Sequence, residues 1–213
     1  MGYNREDMGE RREAWGQALE KARRELPKHS PHVLGAKSGC DFREGQFRLP
    51  FFHKTYRVSF PEGEVREEGG REPTIWLKII FLHYLLTADG TLVADDWIAY
   101  RHLPGAELFG GRFVNMATGP LVHAFGQDLD GFKRAAEALG GVPMSRTGDA
   151  AYYFLAFPHL PIACLLYLGD EEVFPSISIL FDASAPHYLP TEDLSYLGSY
   201  LSQALRSHKQ CSP

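Results

Sequence analysis

Between residues 148 and 194 the chain carries three apolar runs, at 150–157, 161–168 and 176–181, joined by the short connectors PHLP and GDEEVFP. Parallel neighbours need a crossover of about a dozen residues or more, usually a helix. These connectors leave no room for one, so the runs are expected to pair as antiparallel hairpins. Acids mark the boundaries: Asp149 before the first run, Asp170, Glu171 and Glu172 between the second and third, and Asp182 after the third. Residues in the connections of a rigid sheet are free to carry function, while the runs themselves build core.

A chain of 213 residues suits one large domain, and 44% hydrophobic with 13% aromatic content supplies a substantial core. The net charge is −5, from 22 Lys and Arg against 27 Asp and Glu. Such a surface lacks the clustered cations that neutralise phosphates, so nucleic acid is not an expected partner. The charged opening MGYNREDMGERREAW lacks the apolar core of a signal peptide, and Gly2 has no Ser or Thr at the sixth position to complete a myristoylation pattern. The segment IWLKIIFLHYLLT at 75–87 is short and contains Lys78 and His83. A membrane span needs roughly 20 apolar residues, so this reads as a buried helix and no membrane association is expected. Cys40, Cys164 and Cys211 form no CxxC pair. That spacing predicts neither a disulfide framework nor an intrinsic iron–sulfur cluster, and a reducing, cytoplasmic compartment is the expectation.

Residues 5–26 place Met8, Trp15, Leu19, Ala22 and Leu26 at helical spacing among six basic and six acidic side chains. This predicts an amphipathic surface helix, closed by Pro27 and Pro31. Residues 28–44 read as a loop, 46–52 and 55–60 as a hairpin, and the polar PEGEVREEGGREP at 61–73 as a flexible surface segment. Residues 97–103 read as a strand, 113–125 as a helix broken or bent at Gly119–Pro120, and 129–139 as a helix capped by Asp128 or Asp130 and stopped at Gly140. The last helix, 191–207, has Glu192 and Asp193 in its first turn and a stripe of Leu194, Leu197, Leu201 and Leu205. The expected class is α+β: a mostly antiparallel sheet of about five or six strands with helices packed against it, in a single domain.

The loop DASAPHYLP gathers Asp182, Ser184, His187 and Tyr188 just before that helix. Asp182 and His187 form a candidate acid–base or metal-ligating pair, and Arg101, closing the strand at 97–103, is a candidate grip on a carboxylate or phosphate. Arg101, Asp182, His187 and Tyr188 are therefore the expected site residues. Against this, Asp182 would simply cap, Tyr188 pack and Arg101 pair with a neighbouring acid. The Asp170–Glu172 turn lacks the ligand spacing of a calcium loop and reads as a solvated hairpin connection. His83 reads as a core histidine, with an axial haem or corrinoid ligand as its functional counterpart. Cys164 lies inside an apolar run and reads as inert, which leaves Cys40, in a polar stretch, as the more reactive thiol.

The segments YRHLPG, RFVNMATGPL, GDAAYYFLAFPHLPI, GDEEVFPSISILFD and HYLPTEDL resemble a family known only as a domain of unknown function, found mainly in anaerobic bacteria and archaea and sometimes fused behind a small iron–sulfur domain. The likeness covers about residues 46–205. It implies a setting in anaerobic redox or one-carbon metabolism, and no catalytic residues come with it. The leading expectation is a soluble binding or accessory protein that holds a small anionic ligand, or a tetrapyrrole or corrinoid cofactor, and works beside an iron–sulfur or corrinoid-system partner protein. The alternatives are a hydrolase or transferase using the Asp182/His187 loop with Arg101 orienting substrate, and an interaction module with no small-molecule site. Oligomeric state is not legible.

Overall fold

The computed structural model describes residues 5–145 and 148–210, with side chains from residue 12 to residue 209 outside that gap. Met8 and Cys211 lie outside these described side chains. Packing divides the chain into two compact units. One holds the chain up to Pro50, Lys54–Thr91 and His187–Leu189; the other holds Phe51–His53, Leu92–Pro186 and Pro190 onward. The class is α+β, with the strands shared between two antiparallel sheets of four and five strands.

The first unit joins helices α1 (Arg5–Glu25), α2 (Pro31–Ser38) and α3 (Ile75–Thr87) to a sheet of β1 (Asp41–Arg43), β2 (Gln46–Phe51), β3 (Lys54–Ser59) and β4 (Val65–Glu67), in the order β1-β2-β3-β4. Strand β2 alternates exposed and buried residues without a break, so Phe47 and Leu49 point inward, and its last residue, Phe51, belongs to the second unit. Leu77, Ile79, Ile80, Phe81, Leu82, Tyr84 and Leu85 are buried on α3, as expected of a helix that is apolar almost all round. Tyr56 of β3 packs on Phe81 with ring centroids 4.6 Å apart. The expected loop at 28–44 is instead a helix and a strand. Ser30 precedes Pro31 at the first helical position, and Gly39 (φ +69°) ends α2 in the left-handed region. Likewise the polar 61–73 segment contains β4, held to β3 through Tyr56, Arg57 and Val58 and by an ion pair of Lys54 with Glu67 at 2.9 Å.

The second unit is built on β5 (Trp97–Ala99), β6 (Val142–Pro143), β7 (Ala150–Phe157), β8 (Leu160–Tyr167) and β9 (Ser176–Asp182), in the order β5-β9-β8-β7-β6. The three apolar runs form the expected meander, with Tyr152, Cys164 and Ile179 in one cross-strand row and Tyr153, Ala163 and Leu180 in the next. Alternation therefore gives the two rows to opposite faces. Helices α4 (Gly110–Phe113), α5 (Gly119–Phe125), α6 (Leu129–Ala138) and α7 (Thr191–Gln210) accompany the sheet. Phe113 lies against Phe181, and Phe132 against Tyr152, so these helices cover the face that carries Tyr152, Ile179 and Phe181. The α7 stripe of Leu194, Leu197, Leu201 and Leu205 is fully buried, as its spacing predicts.

Three local expectations change in this unit. The strand at 97–103 ends at Ala99, because Tyr100–His102 turn into a 3-10 helix. That turn lays the Tyr100 ring flat on Phe113, with centroids 4.1 Å and planes 5° apart. Strand alternation, which would set Tyr100 and His102 on one face and Arg101 on the other, therefore does not apply. The helix begins at Gly110 and runs through Gly119–Pro120 without breaking, because Val114–Thr118 is a π-helical stretch. Gly119 N–H donates to the Val114 carbonyl five residues back, a widened turn that accommodates a proline lacking its own N–H. Asp149, whose place after Gly148 predicts a turn residue bonded to its own backbone, instead accepts from Leu168 N–H at 2.7 Å and so ties the start of β7 to the end of β8.

Candidate ligand site

The four residues chosen from sequence have different environments. Asp182 ends β9 and is fully buried. Its Oδ1 accepts from Ala94 N–H at 3.0 Å, Ser184 N–H at 2.9 Å and the Ser184 hydroxyl at 2.5 Å. Burial pushes the carboxyl up, but the Ser184 hydroxyl and the N–H groups of Ala94, Ser184 and Asp95 outweigh it and hold it below the usual range. Oδ2 is buried with no hydrogen-bond partner.

His187 is half-exposed, and its Nδ1 lies 2.7 Å from Oδ2 of Asp89. Asp89 also accepts from Thr91 N–H at 2.9 Å. Hydrogen bonds from the Thr91 side chain, His187 and the Thr91 backbone bring its carboxyl down to about 2. Asp89, 98 residues away in sequence, reads locally only as a helix-ending turn beside Gly90. Tyr188 is a core residue: it stacks on Tyr84 at 5.8 Å and donates its hydroxyl to the Thr91 carbonyl. Arg101 is exposed in its 3-10 turn and donates from Nε to His102 Nε2 at 3.2 Å. It stands at a cleft of about 330 Å³ with Tyr100, Phe113, Thr118 and Ser178.

A larger cleft, of about 690 Å³, lies on the five-stranded sheet. The cross-strand rows explain it. On the face opposite the helices, Ala151, Ala163 and Leu165 form a buried floor, against which Trp97, Met144, Tyr153, Tyr167 and Leu180 pack only partly covered. The larger, partly covered side chains stand above this buried cluster. Trp97, Tyr153 and Met144 line the cleft, with Val93, Leu155 and Pro161 beside them. The Trp97 and Tyr153 ring centroids are 6.4 Å apart, their planes inclined by 46°. Leu155 remains 55% exposed, so the rim opens to solvent. Among the described residues lining the cleft, Asp95 is the charged one, and Ser145 supplies a hydroxyl. Asp182 bears on this wall indirectly. It is the register partner of Trp97, and its bond to Ala94 holds the segment that sets Val93 and Asp95 at the edge.

The remaining candidates are structural. In the acidic turn, Asp170 Oδ1 accepts from Glu172 N–H at 2.9 Å and Val173 N–H at 2.7 Å, so its carboxylate folds the loop. Cys40 is buried, not exposed in a polar loop, and burial raises its thiol to about 11 despite a bond to the Ser38 carbonyl. The expectation of a reactive thiol there is overturned. Cys164 is fully buried and its thiol is raised as well. Among the described residues, no three His, Cys, Asp or Glu side chains gather to hold a metal ion, and no helix is long and apolar enough to cross a membrane.

The family model described as Domain of unknown function (DUF3786) matches residues 30–204. The chain belongs to the DUF3786 family. No curated protein and no solved structure matches it significantly. The DUF3786 span begins beyond α1 and contains the sheet cleft, the Asp89–His187 pair, Asp182 and Arg101.

Proposed function

We propose that this DUF3786 chain is a binding or accessory protein whose small organic ligand sits in the cleft on the open face of the five-stranded sheet. The observation that carries the reading is the cleft itself: two aromatic rings, a thioether and one carboxylate line it, and the rings and the thioether pack on the buried cluster of Ala151, Ala163 and Leu165. Its volume is in the range of small-molecule sites, and its mostly apolar lining with few polar groups is their usual composition. The charged cleft of about 400 Å³ on the four-stranded sheet is a weaker candidate, because Glu68 already pairs with Arg48 and Arg57 there.

The lining also bears on the ligands expected from sequence. An anion entering the large cleft would meet Asp95, so an anionic ligand fits better beside Arg101 in the smaller one. A metal tetrapyrrole or corrinoid would find the Met144 thioether but no imidazole or thiolate among the described lining residues. An accessory role beside an iron–sulfur or corrinoid-system partner, in a cytoplasmic anaerobic setting, rests on the family resemblance alone.

NMR shift mapping tests the seat. A small-molecule extract of the host is expected to move the Trp97 indole and Met144 methyl signals of the wild-type protein and to leave Leu155→Arg unmoved. Leu155 is exposed, so the arginine fills the rim without entering core. Equal shifts in the two proteins, or none in the wild type, would reject the seat.

A second reading, hydrolase or transferase, is favoured by one observation. His187 is held by Asp89 through Nδ1, which leaves Nε2 to act as a general base. It predicts turnover of activated esters or phosphate esters that His187→Ala abolishes and Asp89→Asn lowers. Identical rates in the three folded proteins would end this reading.

A further inference from the structure

Resting on the sheet cleft as the ligand seat, we infer that its ligand is a small organic cation, of the alkylated ammonium class. Three observations converge. Trp97 and Tyr153 line one cleft with ring centroids 6.4 Å apart. Aromatic faces carry negative electrostatic potential, and paired Trp and Tyr rings are the usual surroundings of a quaternary ammonium group. Asp95 supplies a full negative charge to the same lining, which holds no cationic side chain among its described residues. The third is Asp182, buried beside the cleft as the register partner of Trp97, with an oxygen that no donor satisfies. Its charge adds to the negative potential behind the Trp97 wall. An ammonium bearing methyl groups satisfies all three: its alkyl surface replaces water on the apolar lining, and its spread charge faces the rings and the carboxylate. A bare alkali cation would leave the apolar lining unused, and an anion would be repelled by Asp95.

The test compares choline with its neutral carbon isostere, 3,3-dimethylbutan-1-ol, against the full chain, reading the Trp97 indole N–H by NMR. Choline is expected to shift that signal in a saturable way, and the alcohol to bind at least about tenfold more weakly, as loss of one charge contact implies. Asp95→Asn is expected to weaken choline about fivefold to tenfold and to leave the alcohol unchanged. Asparagine suits the left-handed backbone that residue 95 adopts (φ +55°), so this variant retains the edge geometry. Trp97→Leu, read on the Met144 methyl signal of the same cleft, is expected to weaken both probes. If the alcohol binds as tightly as choline, or Asp95→Asn has no effect, the cation inference is overturned while the seat stands. If neither probe moves the Trp97 signal, the inference fails, and the Leu155→Arg comparison with host extract decides the seat separately.

Discussion

At the residue scale, carboxylates that looked interchangeable in sequence have separate physical roles. Asp182 is an internal anchor whose Oδ1 gathers three donors. Asp182→Ala strands the Ala94 and Ser184 N–H groups, and is expected to destabilise the fold by about 2–4 kcal/mol in urea denaturation. A loss below about 0.5 kcal/mol would show that those bonds do not hold the edge. Asp89 titrates differently from an isolated carboxyl. Its native value of about 2 lies below the ordinary 3.8. The unfolded chain therefore takes up the proton first as pH falls, and the associated stability is present above about 4 and lost between about 4 and 2. Asp89→Asn is expected to be less stable than the parent at pH 7, with the gap closing toward pH 2. A gap that stays constant across that window would contradict the pairing. The cysteines give a third check: Cys40 and Cys164 are buried with raised thiols, so neither is expected to react with a thiol reagent at pH 8 until the protein unfolds. Rapid native labelling at Cys40 would show that its burial is wrong.

At the element scale, glycines separate propensity from packing. Gly16 on α1 and Gly198 on α7 are both helical, and alanine at either would gain up to about 1 kcal/mol from propensity alone. A Cβ at Gly16 meets nothing within 4 Å, whereas one at Gly198 would lie 2.5 Å from the Phe113 ring. That ring is held by its flat stack on Tyr100. Gly16→Ala is therefore expected to raise stability, and Gly198→Ala to lower it by about 1–3 kcal/mol through overpacking. Thermal melts showing the same sign for both would refute the assignment. The elements most legible in the sequence are those set by local periodicity: the three apolar runs, the 75–87 helix and the leucine stripe of α7. The elements that were not legible depend on tertiary demands. The turn at Tyr100 follows from its stack on Phe113, the π-helical stretch from a proline that the helix must pass, and β1 and β4 from pairing with longer neighbours.

At the scale of the whole molecule, the candidate site was legible only in part. His187 reads from sequence as an acid–base partner of Asp182, but the carboxylate it bonds is Asp89, 98 residues away, and no local spacing signals such a pair. The cleft escaped for a different reason. A run such as AAYYFLAF reads simply as core, although its alternate positions Ala151, Tyr153 and Leu155 belong to the second face of the sheet. Only the register with Ala163, Leu165 and Leu180 reveals which side chains share that face and pack together on it. The central claim is that the cleft on this face, with its aromatic walls, holds a small organic molecule. Native mass spectrometry of the protein purified without oxygen from its own host, together with its visible spectrum, tests it most directly. The expected result is extra mass of a small organic cation, no visible band, and loss of that mass in Leu155→Arg. An apoprotein mass for the wild type, or the same added mass in both proteins, would contradict the account.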